Sequence, residues 1–172
     1  MLIKDFNVFD EETTKALEML GKEEYVPSRD IILRIHENMI ETFGGTQGVR
    51  DKNLFESTCV APYQTLFGMD AYQTVFDKAA KYLYDFANYQ IFLDGNKRTG
   101  LAVCQHYLNM NGYNLNLTAE KHYELVINIA THKIGGVADI AKILRENCAF
   151  ARDIKEEQKN DINGYDTNDR EY

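Results

Sequence analysis

Apolar residues recur at helical spacing along most of the chain, and short polar or glycine-rich breaks separate the runs. Ser28 is placed to cap a helix whose stripe is Ile31, Ile32, Ile35, Met39 and Phe43, and Gly44-Gly45 end it. Asp51 can start a short helix through Leu54 and Phe55 towards Pro62. Residues 73–88 carry two apolar rows: Val75, Ala79, Tyr82 and Phe86 beside Phe76, Ala80, Leu83 and Ala87. A face that wide predicts a central helix rather than a surface one. Residues 96–111 predict a further helix with Leu101, Cys104, Leu108 and Met110, stopped by Gly112. Thr118 caps the next, through Leu125, Val126 and Ile129. Gly135-Gly136 break it, and Val137, Ile140, Ile143 and Leu144 form the last. No β-branched alternation persists long enough to predict a strand. The fold class is therefore all-α, with a loop at residues 89–95 between two central helices.

The ends differ from the middle. Asp10 can cap a helix to about Leu20, giving an N-terminal helical extension over residues 1–27. Residues 28–150 form the main domain, and 151–172 read as a polar, acidic tail with few apolar residues. The net charge is −8, and the two ends supply seven of those eight charges, so the central domain is nearly neutral. That distribution argues against a nucleic-acid partner, which would need a basic face, and no basic recognition helix appears. No run approaches a membrane span, so no membrane partner is expected. Cys59, Cys104 and Cys148 fit neither a zinc spacing nor a disulfide framework, which suits reduced thiols and a cytoplasmic protein.

The candidate chemistry lies in "NYQIFLDGNKRTG", residues 88–100. Free N–H groups and the macrodipole make the first turn of a helix a site for an anion. Gly95 allows a tight bend, Asn96 can brace it through its side chain, and Lys97 and Arg98 add two charges. This is a phosphate cradle, though not a Walker loop. Asp94 beside it makes sense if a magnesium ion bridges carboxylate and phosphate. Phe86, Phe92 and Leu101 flank the loop and are expected to be buried around it. His36, His106, His122 and His132 are assigned structural or exposed positions, with no metal site among them.

"FLDGNKRTG" resembles the signature of the Fic/Doc family, H-x-F-x-D/N-G/A-N-K-R in its death-on-curing (Doc) branch. "FGGTQGVRDKNLFESTCVAPYQ" and "KAAKYLYDFANYQIFLDGNKRTGLAVCQHYLNMNGYNL" extend the resemblance over about residues 28–147. It implies a compact helical bundle and a loop that holds the phosphates of ATP. Gly95 and Asn96 would form the anion hole, Lys97 and Arg98 would bind phosphate oxygens, and Asp94 would hold Mg2+. "GGTQGVRD", residues 44–51, would lie near the flap that positions a target segment. The implied reaction moves a phosphoryl group, or AMP, onto a protein hydroxyl. Leu101 replaces the last arginine of the Fic-branch G-N-G-R-x-x-R pattern, which favours phosphoryl transfer. Elongation factor Tu is the implied target, and a small antitoxin the implied partner.

One position departs from that pattern. Gln90 stands where the family has its catalytic histidine, and Ile91 where proline often follows. A neutral amide accepts no proton near neutral pH, so an impaired or inactive transferase is expected. The alternative is a catalytically dead module that binds nucleotide or protein. Natural drift, a deliberate inactivating change and a variant chemistry all fit Gln90. Many Fic-branch proteins restrain themselves with a [ST]-x-x-x-E-[GN] helix. "TKALEM", Thr14 to Met19, lacks its final residue and reads as an ordinary amphipathic segment.

Overall fold

The computed structural model describes residues 24–151. Among the described residues six α-helices carry the fold: α1 (Arg29–Phe43), α2 (Lys52–Val60), α3 (Val75–Asn88), α4 (Asn96–Met110), α5 (Ala119–Ala130) and α6 (Val137–Asn147). Local chemistry sets their starts. The side chains of Ser28, Asp51 and Thr118 accept from the N–H groups of Ile31, Leu54 and Lys121. Thr74 and Asp77 form a reciprocal capping box at the head of α3.

Helix α3 is the axis of the bundle. Val75, Phe76, Ala79, Ala80, Tyr82, Leu83 and Phe86 on it are all buried. It packs most extensively on α4, then on α6 and α5. Gly100 of α4 makes the closest approach possible: a Cβ there would lie 2.8 Å from Phe86 Cβ, 3.5 Å from Leu83 O and 3.6 Å from Ala87 N. Alanine at this position would force the two central helices apart. The expected loss for Gly100→Ala is about 1–3 kcal/mol by overpacking, larger than the ~1 kcal/mol that helix propensity returns. Thermal unfolding of the variant checks this; an unchanged or raised Tm would show that the helix pair has slack.

The chain preceding α1 also packs inward. Glu24 pairs with buried Lys78 at 2.9 Å and accepts from the Tyr107 hydroxyl. Tyr25 N donates to Asn111 Oδ1 at 2.8 Å, and Asn111 donates to Tyr107 O at 2.9 Å. The helix proposed for Asp10–Leu20, the "TKALEM" segment and nearly all of the acidic tail lie outside the described residues.

Three details depart from the sequence expectations. Two short antiparallel pairs are present: β1 (Thr65–Leu66) with β2 (Met69–Asp70), and β3 (Tyr113–Leu115) with β4 (Cys148–Phe150). Strands of two or three residues leave no alternation to detect. Phe43 and Met110 close their helices on exposed surface rather than in the core, at 64% and 45% exposure. Leu101 is only half-buried: it packs against the core on one side and borders a cavity on the other. Phe86 and Phe92 are fully buried, as their spacing predicts.

Candidate functional site

The loop between α3 and α4 closes on itself. Gly95 takes the left-handed conformation (φ 71°) immediately before α4. Asn96 then reaches back: its Oδ1 accepts from Phe92 N at 2.8 Å, and its Nδ2 donates to Phe92 O at 3.0 Å. Phe92 anchors the loop from below. Its ring lies flat on His36 at 3.7 Å between centroids and 5° between planes, and stacks with Phe86 at 5.8 Å. His36 Nδ1 sits 3.1 Å from Thr99 Oγ1, so the imidazole ties α1 to α4 beneath the loop. Burial pushes the His36 pKa below its ordinary value; nearby Glu37 and Asp94 oppose the shift, and Arg98 adds to it. The imidazole under the loop is therefore neutral around neutral pH.

Above this base the polar groups gather. Among the described residues no side chain caps the start of α4, and its first residues, Asn96, Lys97 and Arg98, line the adjoining cavity. Lys97 is exposed, with no ion-pair partner among the described residues. Arg98 donates to Gly44 O at 3.0 Å and lies 5.8 Å from the Phe43 ring. Asp94 is half-exposed; its Oδ1 accepts from Gly95 N at 2.6 Å and is 3.9 Å from Arg98. Gly45 makes room for this carboxylate, since a Cβ there would lie 2.6 Å from Asp94 Oδ2.

The segment before α2 runs against the loop as a short antiparallel pairing. Val49 bridges Phe92, Leu93 N donates to Gly48 O at 2.9 Å, and Arg50 N donates to Ile91 O at 2.8 Å. Residues 48–50 of "GGTQGVRD" thus lie beside the loop. Arg50 extends from it to Gln90, Nη1 donating to Oε1 at 2.7 Å.

These residues form one wall of a cavity of about 930 Å³. The other wall is α5 and the turn after it, with His122, Tyr123, Val126, Ile127 and His132. His122 Nε2 lies 3.2 Å from Gln105 Nε2, and burial lowers its pKa. His132 takes a left-handed backbone (φ 56°) in that turn. All six candidate residues, Gln90, Asp94, Gly95, Asn96, Lys97 and Arg98, border this one space. Sequence reasoning did not single out Arg50 or Tyr123, and it assigned His122 and His132 structural or exposed positions without placing them at the cavity they line. Only Arg50 left a signal, as a cation in the segment expected to lie near the flap. His36 and His106 hold the structural positions expected of them, His106 beside the Tyr25 hydroxyl at 2.9 Å.

Asp94 also passes a simple test for magnesium. Magnesium is commonly held by one or two carboxylates together with phosphate oxygens and water. Asp94 offers one accessible carboxylate beside the cradle, and no cluster of three or more potential metal ligands occurs among the described residues.

Comparison with known proteins agrees with this architecture. The model of the Fic/DOC family matches residues 26–108. The chain is 34% identical over 111 residues to "Toxin Doc" of Mycolicibacterium smegmatis, covering 63% of this chain and 82% of that protein. It is 28% identical over 118 residues to "Protein kinase doc" of Escherichia phage P1, covering 69% and 91%. Among the described residues no helix is long and apolar enough to cross a membrane.

Proposed function

The chain belongs to the Fic/DOC family, and from that premise we propose that its pocket takes ATP with magnesium. The protein is then a Doc-like, toxin-type transferase whose group-transfer step is weakened at Gln90. The observation that carries this reading is the loop: an uncapped helix N-terminus, a left-handed glycine and two cations border one cavity. Gly95, Asn96 and the following N–H groups would cradle the phosphates. Lys97 and Arg98 would neutralise their oxygens, and Asp94 would hold the metal. When bound, magnesium would spread the negative charge of the phosphates. The half-apolar wall of α5 suits a nucleoside.

The acceptor is a protein hydroxyl presented along residues 48–51, with elongation factor Tu the first target to assay. Leu101 on the cavity wall, in place of an arginine, favours phosphoryl over AMP transfer. A small antitoxin protein is the regulatory partner this reading carries.

The test is calorimetry with ATP–magnesium. Wild type should bind, and Lys97→Ala/Arg98→Ala should bind at least about tenfold more weakly, the scale of one charge-assisted contact. Equal affinity in the two proteins would sink the assignment of the cradle.

A further inference from the structure

Gln90 is held by a neighbour that can only donate. Arg50 Nη1 lies 2.7 Å from the Gln90 amide, and a guanidinium carries N–H donors and no acceptor. The atom facing it must be the carbonyl oxygen, so chemistry fixes the orientation of the amide. Gln90 Nε2 is left with its N–H groups open and no partner among the described residues. Arg50 is itself secured at both ends: its backbone N donates to Ile91 O at 2.8 Å, and its Nη2 reaches Leu93 O at 3.4 Å. The position that needs a proton acceptor for catalysis therefore presents donors.

The surroundings strengthen that inversion. Arg50, Lys97 and Arg98 border the cavity against one carboxylate there, Asp94, in a chain of net charge −8. Amide and guanidinium donors side by side grip the oxygens of a doubly charged phosphate. Tyr89 and Leu93 flank Gln90 and are 43% and 45% exposed, giving apolar surface to whatever carries the anion. The paired segment at residues 48–51 runs alongside.

We propose that Arg50 and Gln90 form an anion subsite that holds a phosphate monoester borne by a protein side chain, such as phosphothreonine. The site then retains a phosphorylated protein where an active relative would create one. This rests on the reading of the pocket as a Fic/DOC site, because residue 90 stands there beside the acceptor hydroxyl.

The experiment is a nucleotide-free titration of the full chain with N-acetyl-phosphothreonine methylamide, its unphosphorylated counterpart and inorganic phosphate. The phosphorylated derivative should bind at least roughly tenfold more tightly than either of the others. Gln90→Glu keeps the shape and replaces the donor with a carboxylate; Arg50→Met removes the guanidinium. Each should weaken binding of the phosphorylated derivative by about tenfold or more. Both side chains are exposed, and circular dichroism is to check that the variants fold. Undiminished binding by either variant overturns the subsite. Equal binding of inorganic phosphate overturns the assignment to a protein side chain. Because no nucleotide is present, loss of the ATP reading would leave this result standing, and the reverse holds too.

Discussion

Gln90→His is expected to raise transfer from ATP to a protein acceptor by roughly 100- to 10,000-fold, the range that a general base supplies. The rest of the site needs no repair. Asp94, Gly95, Asn96, Lys97 and Arg98 already border the cavity, and Asn96 already locks the loop. Phosphoryl transfer depends mostly on positioning and charge, so a restored proton acceptor meets prepared surroundings. Arg50 adds a pH signature. Its positive charge beside the new imidazole favours the neutral, proton-accepting form. The rate should therefore rise with pH through a value below that of an ordinary histidine. Labelled ATP, magnesium and cell extract, with wild type in parallel, read the outcome. Strong transfer by the unaltered protein would show that Gln90 is no handicap. No transfer by either form, with ATP bound, would move the lesion to the flap or target surface and leave a binding module.

Phe92→Ala is expected to cost ~3–5 kcal/mol of folding stability. Phe92 is fully buried, and its ring fills the space between His36, Phe86 and Phe55. Truncation leaves a void under the loop and strips His36 of its stacking partner. The backbone of the same residue carries both bonds from Asn96, so the cradle should loosen along with the core. Urea unfolding measures the change. A loss below about 1 kcal/mol would mean that the surrounding helices close over the gap, contrary to a rigidly packed anchor.

What could be read from the sequence divides along physical lines. Ser28, Asp51 and Thr118 were legible as caps because a cap acts within three residues of itself. The wide apolar face of residues 75–87 was legible because burial on several sides leaves few polar positions. Gly95 and Asn96 declared a turn by their own conformational habits. The far wall was not legible: His122, Tyr123 and His132 reach the cavity only through the packing of α5, which no local pattern records. Arg50 meets Gln90 across 40 residues of chain. Leu101 shows the limit of periodicity: spacing marks an apolar residue as facing inward, yet a core and a cavity look alike from the sequence.

The two bonds between Asn96 and the backbone of Phe92 bear on how fast a ligand could be caught. A loop that must order itself around each arriving phosphate loses conformational entropy at every encounter. This one is already closed by its own side chain, so arrival need not wait for a rearrangement. Capture at the cradle should then be limited by diffusion and orientation, and differences in affinity between ligands should lie in how long each one stays.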